Sequence, residues 1–138
     1  MAFGVRKYDF TVHSLLEAAG RGRSRADCPT KSETDHVVEL QLVVAALKTL
    51  PSTTYTREGW ATELVDFFNK DLNLQCMKRE KNRQKGHAVQ KFIQEDPSLT
   101  GQERQSVVSI KQYWNGIKHH LPNFVEFKAA LDGIFARV

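Results

Sequence analysis

The sequence has no apolar run near the roughly 20 residues that a helix needs to cross a bilayer. Its opening, MAFGVRKYDF, lacks the basic-then-apolar layout of a leader peptide, because charge appears by Arg6 and no long apolar core follows. Both absences lead to the expectation of a cytoplasmic protein without a signal peptide and without a membrane partner. Cysteine is scarce, with two residues in 138, too few for a disulfide framework. In a reducing compartment Cys28 and Cys76 are expected to be free thiols, with a mutual bridge or a metal role as the lesser options. The four prolines (Pro29, Pro51, Pro97 and Pro122) all fall at breaks between patterned segments. Neither sign of charge is missing, and the net charge is only +4, so where the basic residues sit matters more than their excess.

What remains is an ordinary globular composition, 41% hydrophobic and 26% charged, of a length that fits one domain over residues 1–138 with a single core. Lys7–Val12 alternates and reads as a short strand, and Ser14–Ala19 as a short helix closed by Gly20. A loop with Arg21, Arg23 and Arg25 follows, as apt to contact phosphate as merely to be solvated. Leu40–Leu50 reads as a mostly buried helix, while Asp35–Glu39 suits strand or helix. Pro51–Tyr55 is a turn, and Thr56 caps a helix with Trp60, Leu64, Phe67 and Phe68 inward. Leu74–Met77 suits a short strand and Lys81–Gln94 a helix. Thr100 and Glu103 form a capping-box pattern that opens a helix with Val107, Ile110, Trp114 and Ile117 on one side. His119-His120 are expected as favourable charges at its C-terminal end. Asn123 and Glu126 repeat the capping pattern before a last helix carrying Phe127, Leu131 and Ile134. The expected fold is mainly α, formally α+β: a single helical domain with few short strands.

Two stretches carry the chemistry. Asp35-His36 sets a carboxylate beside an imidazole, and Asn73-Leu74-Gln75 is followed by Asn82-Arg83-Gln84-Lys85-Gly86. The bland alternatives are a helix-capping Asp35, an exposed His36, a packed Cys76 and a solvated basic face over Lys78–Lys91. In this order the two stretches resemble the HNH, or His-Me finger, nucleases. Their ββα-metal element has an Asp-His pair at the end of a first strand, an Asn in the turn and a metal-binding His or Asn on the helix. The resemblance implies a divalent ion held by oxygens of Asp35 and Asn82, with His87 as a further ligand or acid. Mg2+ is the expected ion, with Mn2+ or Zn2+ admissible. His36 is the expected general base, since an imidazole ordinarily titrates near neutrality. Asn73 is expected to hold the His36 loop, and Lys85, Arg79 and Arg83 to neutralise charge on the phosphate. Arg21, Arg23, Arg25 and Lys31 complete the expected RNA-contacting set. Three departures stand out. Glu39 occupies the place of a usual proline, Lys81 that of a usual cysteine, and more than thirty residues part the two halves.

A narrower resemblance runs through Lys7–Val12, Ala26-Asp27-Cys28-Pro29, Thr34-Asp35-His36-Val37, Glu39–Leu47, Thr54-Tyr55-Thr56, Gly59-Trp60 and Asn73–Cys76. These segments look like the ageritin-type ribotoxin-like ribonucleases of basidiomycete mushrooms. That family implies a divalent-metal-dependent endoribonuclease, and a monomer is expected. It cuts the sarcin–ricin loop of large-subunit ribosomal RNA and stops translation as a fungal defence. Two other functions fit the same residues: an HNH-type DNase toxin domain, and a non-catalytic RNA- or ribosome-binding module.

Overall fold

The structure, a computed structural model, describes residues 28–51 and 60–138. The strand expected at Lys7–Val12, the helix at Ser14–Ala19, the loop with Arg21, Arg23 and Arg25, and the Thr56 cap lie outside these residues.

Strand β1 (Ser32–His36) pairs antiparallel with β2 (Leu74–Lys78), so that Asp35 faces Gln75, Thr34 faces Cys76 and His36 faces Leu74. A turn with Lys31 at φ 68° sends the chain into β1, closed by a bond from Ser32 N–H to the Pro29 carbonyl at 3.0 Å. After β1 the chain bends at Val37 and Val38, is extended at Glu39, and then enters helix α1 (Leu40–Lys48). Its apolar residues Leu42, Val43, Val44, Ala46 and Leu47 are all buried. Helix α2 (Trp60–Phe68) and a 3-10 turn (Asp71–Asn73) lead into β2. Helix α3 (Arg79–Ile93) begins directly at the end of β2. Helix α3 packs against both strands, the first of which comes from far upstream in the chain.

Helices α4 (Gly101–Ile117) and α5 (Val125–Phe135) close the domain. The capping box forms as expected. The Thr100 hydroxyl accepts from Glu103 N–H at 3.1 Å, and the Glu103 carboxylate accepts from Thr100 N–H at 2.9 Å. The repeat of that pattern at Asn123 does not form. Helix α5 starts one residue later, with Phe124 at its N-cap in the left-handed region (φ 51°). Phe124 is buried there, so packing of its ring offsets an unfavourable backbone conformation.

All five helices contribute to the core, α3 through Val89 and Phe92. Phe68 stacks on Trp114 at 6.0 Å between ring centroids and meets Phe127 edge-on at 5.9 Å. The Trp114 indole N–H donates to Asp132 at 2.8 Å, which satisfies the polar end of a ring with no exposure. Full burial of each such side chain stabilises by roughly 1.5–3 kcal/mol. Helix α1 packs against α5 and α3, and α3 against α4. Among the described residues the chain is mainly helical, with five α-helices and one two-stranded sheet. No helix among them is long and apolar enough to cross a membrane.

The cysteines depart from expectation: Cys28 and Cys76 form a disulfide. The segment entering β1 runs alongside β2 and brings the two Cα atoms to 5.4 Å, within the range a bridge requires. Sequence spacing could not show this, because the two residues are 48 apart and meet only through strand pairing.

Candidate functional site

The register of the sheet and the start of α3 bring the two separated stretches together. Helix α3 buries Lys85, Ala88, Val89 and Phe92, the i, i+3, i+4, i+7 stripe of an amphipathic helix, with a lysine as its first member. That ammonium needs acceptors. Lys85 Nζ donates to Asp35 Oδ2 at 2.6 Å and to the His36 carbonyl at 2.8 Å, and it lies 3.9 Å from Glu39 Oε2. Asp35 Oδ2 also accepts from the Gln75 side-chain amide across the sheet at 2.8 Å. Lys85 and Asp35 are both buried, so each depends on the other's charge.

The chain around His36 is held from four directions. Lys85 takes its carbonyl, and the Asn73 carbonyl accepts from Val37 N–H at 2.9 Å. The fully buried Asn73 side chain accepts from Val38 N–H at 2.9 Å and donates to the carbonyls of Val38 and Phe68 at 3.2 and 3.1 Å. The ring itself sets Nε2 against Asn69 Oδ1 at 2.7 Å. An amide oxygen only accepts, so Nε2 carries a proton in this bond, and in the neutral ring the lone pair is then on Nδ1. The result is a half-exposed imidazole in a fixed tautomer at the end of β1, able to accept a proton at Nδ1.

Glu39 is the residue the motif comparison passed over. Its carboxyl is pushed above the ordinary carboxylate value by burial, against the pull of Lys85 and a hydrogen bond from Gln41. Gln41 donates to Glu39 Oε1 at 2.7 Å and to the Gly86 carbonyl at 3.1 Å, while Glu39 Oε2 is buried with no hydrogen-bond partner among the described residues. A lone acid inside the apolar run Val37–Leu47 was the sequence signal for it. Asn69 and Gln75 carried no such signal, since their tasks depend on the strand register and on where α2 ends.

The expected metal ligands are not gathered. Asn82 turns its amide N–H to Glu33 at 2.6 Å, and the same carboxylate pairs with Arg79 at 3.6 Å. His87 lies two residues past Lys85, about 200° around the helix, and lines a cleft on the α4 side. The one Asp35 oxygen that faces α3 already holds an ammonium and an amide. Among the described residues no group of three or more His, Cys, Asp or Glu side chains is placed to hold an ion. The trio of Asp35, Asn82 and His87 does not fit a divalent metal as it stands.

Of the expected phosphate contacts, Lys31, Arg79 and Arg83 are exposed. Lys31 and Arg79 adjoin, with Arg79 N–H bonded to the Lys31 carbonyl at 3.4 Å. Arg83 lines the same cleft as His87. Lys85, expected at the phosphate, is buried and fully engaged, so it acts by positioning Asp35 and His36. His119 and His120 follow α4 directly in a 3-10 turn, exposed, with their rings 4.1 Å apart.

No family model, curated protein or solved structure matches the chain.

Proposed function

We propose that the chain is an endoribonuclease of the ribotoxin kind, cutting a phosphodiester bond in the sarcin–ricin loop of large-subunit ribosomal RNA and so stopping translation. The observation that carries this reading is the immobilised His36. Its ring is bonded to Asn69, its carbonyl to Lys85 and the two following backbone N–H groups to Asn73, while Nδ1 is left to accept a proton. Fixing a half-exposed imidazole so fully is what general-base catalysis calls for and what a solvated surface residue does not need. In the reaction His36 Nδ1 takes the proton from the attacking oxygen, of water or of the ribose 2′-OH, as that oxygen bonds to phosphorus. The P–O bond to the departing nucleotide breaks, and its oxygen takes a proton from solvent. The exposed Arg79, with Lys31 beside it, meets the charge that builds on the phosphate oxygens. Lys85 and Asn73 position His36 and do not touch the RNA.

Intact ribosomes incubated with the protein test this. One discrete rRNA fragment is expected, and His36→Ala should lower its yield by about 10²–10⁴-fold. Nicked plasmid with intact ribosomes favours the HNH-type DNase. Salt-sensitive ribosome binding without any cut, a reading that the burial of Lys85 favours, makes the chain a non-catalytic RNA-binding module. Adding EDTA decides the ion requirement that the family resemblance implies. Cutting that stops requires an ion on groups other than the expected trio. Cutting that continues leaves Lys85 as the fixed cation beside His36.

A further inference from the structure

A second feature of α3 begins at Arg79 and continues beyond the site just described. Residues 79, 83, 87 and 91 recur at i, i+4 spacing, and all four are basic or imidazole: Arg79, Arg83, His87 and Lys91. Successive members stand about 6 Å apart along the axis, on a stripe distinct from the buried one that carries Lys85. The stripe starts at the junction with β2, beside the site, and runs into the cleft between α3 and α4. That cleft has a volume of about 360 Å³, and its α4 wall is formed by Gln102, Glu103 and Ser106.

The charges in the cleft do not cancel. Glu103 is the one carboxylate among the described residues that line it and is already committed, to Lys91 at 3.1 Å and to the Thr100 N–H of the capping box at 2.9 Å. Those bonds hold its carboxyl below the ordinary value, so it stays charged against Lys91. Arg83 and His87 face the same space with no hydrogen bond or ion pair among the described residues. An exposed guanidinium and an imidazole with unspent N–H groups, beside the side-chain amide of Gln102, suit an anion with several acceptor oxygens.

We infer that the α3–α4 cleft is a phosphate-binding subsite, in which Arg83 and His87 hold a backbone phosphate of single-stranded RNA flanking the bond presented to His36. The inference rests on the ribonuclease reading for its ligand. RNA whose backbone crosses Arg79 at the site edge follows the stripe into the cleft, and Lys91, held by Glu103, closes its far end. The subsite fixes the register of the strand without reading its bases.

The test uses the full chain and a short fluorescent single-stranded RNA, with anisotropy titrations at several salt concentrations. Arg83→Ala and His87→Ala are compared with Lys81→Ala, an exposed change on the same helix outside the cleft. The expected result is RNA binding weakened about tenfold by Arg83→Ala, the loss of one charge-assisted contact. The slope of log affinity against log salt should fall by about one, with Lys81→Ala close to wild type. Unchanged binding in both cleft variants overturns the subsite. Inorganic phosphate titrated alone against the His87 ring signals separates the sources. Phosphate that shifts the ring and is displaced by the RNA supports the inference, whereas a site filled by phosphate that RNA cannot displace overturns it. Ribosome cleavage is scored separately. Cleft-dependent RNA binding without any cutting keeps the subsite and removes the nuclease. Wild-type cutting with unchanged KM in both variants removes the subsite and keeps the nuclease.

Discussion

Lys85 and Asp35, fifty residues apart in the chain, meet at 2.6 Å with 9% and 5% of their side chains exposed. In this fold the ion pair is the joint between the two motif stretches, and it couples stability to the candidate site. Removing one partner leaves an uncompensated charge in the interior. Lys85→Met is therefore expected to cost about 3–5 kcal/mol in urea unfolding. The Asp35→Asn/Lys85→Met double variant should lose less than the two single variants together. Strict additivity would show that the two groups are not coupled.

The Asn69 amide acts on the ring and little else. Asn69→Ala should leave the unfolding midpoint within about 1.5 kcal/mol of wild type, the worth of one hydrogen bond. Cutting should fall by about tenfold, because the His36 tautomer is no longer held. Unchanged cutting in this variant would remove Nδ1 of His36 as the proton acceptor.

Asn73 supports the same loop through its buried side chain, so the balance reverses. Asn73→Ala strands Val38 N–H and two carbonyls in the interior, and a loss of at least about 2 kcal/mol is expected. Guanidinium titration by circular dichroism reads this directly, and a change under 0.5 kcal/mol, as for surface positions, would contradict the bonding described.

The disulfide closes a loop of 48 residues between Cys28 and Cys76, worth about 4 kcal/mol on the chain-entropy account. Reductant, or Cys28→Ser with Cys76→Ser, should lower stability by that order. It should also loosen β1 against β2 and with it the Asp35 site. Equal stability with and without reductant would show that the thiols are unpaired in solution.

Burial holds the Glu39 carboxyl above its ordinary value of 4.5, so the folded chain binds that proton more tightly than the unfolded chain does. The stability from this group is fully present below 4.5 and is lost as pH rises through the higher folded value. Glu39→Gln should therefore flatten the fall in melting temperature between that pH and neutrality. A profile identical to wild type would mean that the group is not desolvated.

The helices were legible because each reports itself locally. The Thr100–Glu103 box, the Val107–Ile117 stripe and the apolar run of α1 need nothing beyond their own spacing. The start of α5 was not, because burial of the Phe124 ring outweighs the cap that Asn123 offered. The site was half legible. Asp35, His36, Asn73 and Lys85 stood out by motif, and the structure brings all four together. Their division of labour did not follow from the motif, because Lys85 lies on the buried stripe of α3 and His87 on the opposite side.

The sequence by itself determined where the helices run, where the prolines break them, and that a carboxylate and an imidazole stand together before an apolar segment. Only the tertiary structure decided that β1 pairs with β2. From that pairing follow the disulfide, the Gln75 amide on Asp35, and the ammonium of Lys85 where a metal was expected. The physical reason is range. Capping and helical periodicity act over three or four residues, whereas strand pairing and buried charge join residues 40 to 50 apart and leave no local trace.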